Sequence, residues 1–229
     1  MRLAALAFGA ILALVALASP VGAQELRLGA GKLWTDHALL ADPAGFGAHV
    51  GLRLGRATRV RVGYEQYRSD FASRGSLCAG FIAPDEDCSP QDLRDRGFLQ
   101  SLGVAVPLAA YGGGRVRVDV VPGIRLAHAM SDRRSTESDR TLSADEAMWG
   151  GDVGLEGALR ISTLPLRLHV SAGVGGLIPM RAGMIVDGYT PFDSGVAWRR
   201  VEVALSYTPA SQDGRVHVLG SYPRWSVAP

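Results

Sequence analysis

The chain has 229 residues, with 24 basic and 22 acidic side chains and a formal net charge of +2. That near-balance argues against a nucleic-acid partner, and the length is about one domain's worth once a leader is set aside. Glycine is abundant, at 29 residues, while aromatics make up 7%; with no collagen period, this excludes a fibrous chain and fits many turns and crowded strand faces.

Residues 1–23 read as a signal peptide. Arg2 supplies the positive start, Leu3 to Ala18 is almost purely aliphatic, and Val21-Gly22-Ala23 is a small-residue cleavage site, so the mature chain is expected to begin at Gln24. The apolar run is short for a retained membrane anchor. Residues 24–207 read as one β-domain and residues 208–229 as a C-terminal tail.

Eight strands are expected, and no long helix. The first, about 25–34, sets Leu26, Leu28, Ala30 and Trp34 against Arg27, Gly29 and Gly31. The second, about 45–54, sets Phe46, Ala48, Val50, Leu52 and Leu54 against Gly47, His49, Gly51 and Arg53. The third, about 58–68, sets Val60, Val62 and Tyr64 against Arg59, Arg61, Gly63 and Glu65. A long loop, 69–96, then carries Cys78 and Cys88, which an exported chain is expected to join as a local disulfide. The mixed charges of Asp92 to Arg96 read as solvated loop.

The fourth strand, about 97–108, sets Leu102, Val104, Val106 and Leu108 against Leu99, Ser101, Gly103 and Ala105. A short link, 109–114, leads to the fifth, about 115–130, where Val116, Val118, Val120, Ile124 and Leu126 oppose Arg117, Asp119, Gly123 and Arg125. Pro122 within it predicts a bulge or bend. A charged loop, 131–146, precedes the sixth strand, 149–161. There Trp149, Val153, Leu155, Leu159 and Ile161 alternate with Asp152, Glu156 and Arg160. The seventh, about 166–178, sets Leu168, Val170, Ala172 and Val174 against Arg167, His169, Ser171 and Gly173. The eighth, about 195–207, sets Val201, Val203, Leu205 and Tyr207 against Arg200, Glu202, Ala204 and Ser206. Trp198 falls on the polar side of that strand unless a bulge intervenes, and Lys32 falls on the apolar side of the first.

Period two in every segment gives each strand one apolar and one charged or small face. In a soluble barrel the apolar face would be buried; in a membrane barrel it would meet lipid. Three features select the second. Most of the expected strands reach the roughly 9–11 residues that cross a bilayer. Long and short connections alternate, as in an up-and-down barrel. Trp34, Phe46, Tyr64, Phe98 and Trp149 fall near the long-loop ends of the apolar faces, with Tyr207 at the other end, as an interfacial girdle requires. The polar faces then gather Arg27, Arg53, Arg59, Arg61, Arg117, Arg125, Arg160, Arg167 and Arg200 with Glu65, Asp119, Asp152, Glu156 and Glu202. Inside eight strands there is room for little beyond side chains, so these charges are expected to pair and plug the lumen.

With these features the chain resembles the small outer-membrane β-barrel family of Gram-negative bacteria, the OmpA-like, OmpX-like and OmpW-like eight-stranded proteins. The resemblance covers residues 25–207 and includes a last strand, WRRVEVALSY, that ends in an aromatic. It departs in the tail, where 215–219 reads as a short extra strand and Trp225 as a displaced terminal aromatic. The resemblance implies an all-β, eight-stranded antiparallel up-and-down transmembrane barrel, a monomer in contact with outer-membrane lipid.

For chemistry, a lipid-modifying enzyme would need a nucleophile, a base and an orienting acid in reach of one another. His128, Ser131 and Glu146 are the candidates, but the position two after His128 is Met130, and a rim histidine is the simpler reading. His49 and His169 read as lumen residues rather than metal ligands. The expected function is therefore non-enzymatic, without cofactor or metal, with outer loops contacting the surroundings. The alternatives are a lipid A-modifying enzyme and a soluble lipocalin-like binding barrel.

Overall fold

The computed structural model describes residues 25–37, 40–54, 58–75, 89–112, 115–137, 141–161, 164–180, 192 and 194–208. The leader, Cys78 and Cys88, and the tail from 209 onward lie outside the described residues. Within them the alternation becomes β1 (Glu25–Thr35), β2 (Ala44–Leu54), β3 (Thr58–Gly75), β4 (Gln91–Ala105), β5 (Leu108–Gly112), β6 (Val116–Ser135), β7 (Thr141–Arg160), β8 (Leu166–Pro179) and β9 (Val196–Tyr207).

All pairings are antiparallel, in the order β4-β3-β2-β1-β9-β8-β7-β6-β5, and β4 also pairs with β6. That last pairing closes the sheet. Because β4 and β5 lie end to end against β6, the nine segments make an eight-stranded closed barrel. The expected link at 109–114 is thus partly strand. Pro107 separates β4 from β5, since a proline has no N–H for the ladder.

The same break accommodates Pro122. The β6–β7 register runs unshifted through Pro122↔Val153, so the expected bulge is absent there. The irregularity lies in the partner, between Ala109 and Tyr111 of β5. The Pro122 carbonyl accepts from Val106 N at 3.0 Å. In an antiparallel pair N–H and C=O of one residue point the same way, so the missing donor of Pro122 faces the break between β4 and β5.

Two hairpins are longer than expected. Residues 69–75 and 91–96 are strand, as are 131–135 and 141–148. β3 pairs with β4 out to Gly75↔Gln91, β4 with β6 to Leu93↔Ser135, and β6 with β7 to Arg134↔Thr141. The flanking β2 and β8 stop pairing at Arg68 and Met148. Four strands therefore stand above the rest of the rim at the long-loop end as one sheet, here called the panel. Beyond Trp149, β7 continues for eight residues, about 25 Å of strand.

The two faces differ sharply. Outward positions carry Leu28 and Ile124 at 69% exposure, Leu155 at 60%, and exposed Val, Leu or aromatic residues on every strand except β3, whose Val60, Val62 and Tyr64 are half-buried; Val50 on the outward side of β2 is buried. Tyr64, Leu102, Leu126, Trp149 and Ile178 lie in register across five strands. The next outward row toward the long loops is Gln66, Gln100, His128 and Ala147, and the apolar belt ends between the two. Inward positions carry the charges over the short-turn half. Over the long-loop half they carry an apolar layer that includes Leu33, Tyr67, Leu99, Ala129, Met148 and Trp198. Leu40 and Phe192, from the connections after β1 and before β9, complete that layer, fully or almost fully buried.

Candidate functional site

The lumen is built from the inward faces of all eight staves, and its charged half has two tiers. Glu156 on β7 is the hub of the tier nearer the short turns. Arg61 donates to it twice, at 2.7 and 2.9 Å, Arg27 donates to Oε2, and His169 Nδ1 lies 2.9 Å from Oε1. His169 Nε2 is 2.8 Å from Ser206 Oγ and 3.2 Å from Glu25. Arg27 also donates to Glu202 at 3.0 Å, which ties this tier to the next.

Glu65 on β3 is the second hub. Arg125 lies 2.9 Å from its Oε2, Arg200 donates to Oε1, and Tyr67 Oη donates to Oε2 at 3.2 Å. Arg125 bridges onward to Asp152 through bonds of 2.9 and 3.1 Å. Above them Trp198 is buried, its ring 5.4 Å from the Arg125 guanidinium carbon and 5.6 Å from that of Arg200. β9 has no bulge at Trp198, which pairs with Gly175 and Thr35 in continuous register. Its parity already placed it inside. It caps two guanidinium groups by cation–π contact, and a Cβ at Gly175 would collide with its ring.

His49 stands between the tiers, its Nε2 3.7 Å from Glu202 and 3.8 Å from Glu65. The three groups are metal-ligand types within 4.8 Å of one another. The same carboxylate oxygens already bond Arg27 and Arg200, so their charge is neutralised and a cation would meet two guanidinium groups. A cavity of about 30 Å³ remains, lined by His49, Arg27, Arg200 and Ser171 among others. Each of those four keeps one buried polar atom without a hydrogen-bond partner among the described residues, and a space of this size and polarity suits an ordered water.

Of the fourteen charges expected inside, Arg27, Arg61, Glu65, Arg125, Asp152, Glu156, Arg200 and Glu202 are joined in this network. Arg117 and Asp119 form a separate pair at 2.6 Å. The Arg53 side chain lies outside the described residues, while Arg59, Arg160 and Arg167 make no ion pair among the described residues. Glu25 and Tyr67 join the network without having been singled out by the sequence. Both lie on the inward parity, Glu25 at the strand edge and Tyr67 beside the expected strand end.

The panel has its own interior. Asp95 is completely buried; it accepts from Arg133 at 2.8 and 3.1 Å and from Ser73 at 2.7 Å. It belongs to the charge cluster expected to be solvated loop, and the parity it shares with Leu93 and Leu99 was the available signal. On the outer face Asp70 accepts from Arg94 at 2.7 and 3.0 Å, and Arg96 lies 3.5 Å away. The Arg94 hydrogen bonds hold the Asp70 carboxyl below the usual carboxylate range.

Among the expected girdle residues, Trp34, Phe46, Trp149 and Tyr207 are exposed on the outward face. Tyr64 faces outward with its hydroxyl near Gln66 and Gln100. Phe98 stands on the panel beneath the Arg68 guanidinium, 5.3 Å from its ring centre. Lys32, at the long-loop end of β1, lies 3.6 Å from Asp42 and over the Trp34 ring, which removes the objection to the register. The candidate triad is not assembled. His128 faces outward, between Gln100 and Asp145 at 3.4 and 3.2 Å, whereas Ser131 is buried on the opposite face and Glu146 shares its parity.

No protein-family profile and no curated protein matches the sequence. Among solved structures, a major outer membrane protein from Thermus thermophilus aligns at 14% identity over 80% of this chain and 98% of that one, with a TM-score of 0.51. The chain has an outer-membrane β-barrel fold. Ail, the attachment invasion locus protein of Yersinia pestis, aligns with the barrel at 12% identity over 80% of this chain and 96% of its own, TM-score 0.46. Neisserial surface protein A aligns at 14% over 81% and 96%, TM-score 0.45.

Proposed function

We propose that the chain is a non-enzymatic outer-membrane barrel of a Gram-negative cell envelope, exported by a cleaved leader, with a closed lumen and a surface-exposed panel that meets the surroundings. The observation that carries this reading is the direction of the two faces. Large apolar side chains point outward on every stave while ion pairs fill the inside. A water-soluble protein rarely exposes a contiguous apolar patch beyond a few hundred Å², whereas lipid requires one.

The first and last strands pair with each other, Leu26 opposite Tyr207, so the short turns share an end with the start of β1 and the end of β9. An exported chain starts in the periplasm, which puts the panel on the outer side. The paired charges and the apolar layer above them support a closed lumen and a structural or surface-contact role over conduction. A closed ring has no free edge within the belt, which supports a monomer. The separation of His128 from Ser131 and Glu146 favours this reading over an acyl-transferring or deacylating enzyme.

Membrane fractionation with a heat-modifiability gel tests the proposal. The chain should partition with outer membranes and migrate differently before and after boiling. Recovery in the soluble fraction without detergent would end the membrane reading and return the chain to the soluble binding barrels. A changed lipid A profile on expression that His128→Ala abolishes would instead establish the enzyme.

A further inference from the structure

We infer that the periplasmic mouth of the barrel is a phosphate-binding ring. The inference rests on the membrane orientation proposed above. Arg53 lies opposite Arg59 on β2 and β3, and Arg160 opposite Arg167 on β7 and β8. All four are inward-facing register positions at the last turn of the wall. Like charges set directly across a strand pair are unfavourable unless something neutralises them.

The two pairs face each other across the mouth. Around the ring β2–β3 and β7–β8 are separated by two staves on either side. An eight-stranded barrel is only wide enough for side chains to fill it, so Arg59 on one wall and Arg160 and Arg167 on the facing wall share one narrow opening.

Nothing described at this end offsets the charge. Deeper in the lumen Arg27, Arg61, Arg125 and Arg200 each have carboxylate partners. At the mouth, Arg59, Arg160 and Arg167 have none among the described residues. The acids nearest them are engaged elsewhere, Glu25 with His169 and Asp119 with Arg117. The connections at this end, 55–57, 113–115 and 161–165, together with β5 before the second of them, contribute Arg56 and Arg115 and no Asp or Glu. The long connections hold the opposite composition, with Asp36, Asp42, Asp85, Glu86 and Asp87 among their acids.

Paired guanidinium forks match phosphate oxygens through parallel charge-assisted hydrogen bonds. The phosphate available at this depth is the headgroup of an inner-leaflet phospholipid or a free phosphate of the periplasm. The chemistry is shared, and the source is separable by experiment.

The full chain, folded in maltoside micelles and verified by its heat-modifiable band, is titrated with phosphatidylglycerol or with inorganic phosphate. Retention is read by native mass spectrometry. The parent protein should retain phosphatidylglycerol, and Arg59→Gln/Arg160→Gln/Arg167→Gln should bind about tenfold more weakly or worse. Retention of the lipid alone assigns the headgroup, and retention of both ligands assigns any accessible phosphate. Equal lipid and phosphate binding by parent and variant overturns the inference, as does binding of neither by the parent. Should the triple variant fail to fold, the single Arg160→Gln and Arg167→Gln variants carry the same comparison, each with a smaller loss. A chain that never gives a heat-modifiable band fails the membrane reading instead, so the two failures are distinct.

Discussion

At the scale of single residues, the lumen is organised by two carboxylates rather than by fourteen equivalent charges. Glu156 holds Arg27, Arg61 and His169, and Glu65 holds Arg125 and Arg200. A buried ion pair adds little net stability, but removing one partner strands the other charge. Glu156→Gln should therefore cost about 3–5 kcal/mol, read as a lowered urea midpoint for unfolding from micelles. A loss below about 1 kcal/mol would mean that water reaches Arg27 and Arg61. The identity of the lumen residues was legible from parity. Their partners were not, because alternation assigns a side chain to a face but not to a height or a neighbour on another strand.

At the scale of elements, the panel is the part that sequence periodicity missed, and the reason is physical. Period two is visible when one face meets lipid and the other does not. Below the row of Tyr64, Leu102, Leu126 and Trp149 that contrast holds. Above it Arg94 and Arg96 alternate with Leu93 and Asp95, polar against mixed, and the pattern reads as loop. The panel instead relies on its own buried contacts, chiefly Asp95 with Arg133 and Ser73. Asp95→Ala should leave the belt folded and heat-modifiable while residues 69–75 and 131–137 gain hydrogen exchange and protease sensitivity. Global unfolding at an unchanged exchange pattern would show that panel and belt are one cooperative unit. The panel's two lateral edges, on β3 and β7, are bordered outward by Arg68, Asp70, Arg74 and Asp145, charges that discourage edge-to-edge pairing.

At the scale of the whole molecule, the fold inverts the usual order of a soluble protein only in its lower half. Charged tiers lie beneath an apolar layer, and the outer apolar wall runs beside the charged tiers and up to Leu126, Trp149 and Ile178, next to the buried Met148 and Leu177. Leu155, midway between Trp149 and Ile161 on the outward face of β7, marks the centre of that wall. Leu155→Arg should cost about 2–4 kcal/mol in a bilayer and reduce insertion, whereas the same substitution should cost little in a protein whose outer wall meets water. Comparing unfolding in vesicles of parent and variant checks this. The barrel, its strand number and its face assignment were readable because lipid and lumen impose opposite demands on adjacent residues. The β4–β5 break was not, since it depends on which strand lies beside which, whereas Trp198 already stood on the inward parity and only its guanidinium partners were hidden.

The panel also gives the molecule a heading. Its tall strands occupy β3, β4, β6 and β7, and the seam between β4 and β6 lies opposite the seam between β1 and β9. Among the described residues the wall is therefore high on one half of its circumference and ends at the top of the apolar belt on the other. On the proposed membrane orientation, a neighbour approaching in the plane meets the charged strands of the panel from one bearing and, among the described residues, no such extension from the opposite one. The protein thus distinguishes directions along the membrane as well as across it, and its lateral packing in a crowded envelope should be azimuthally selective.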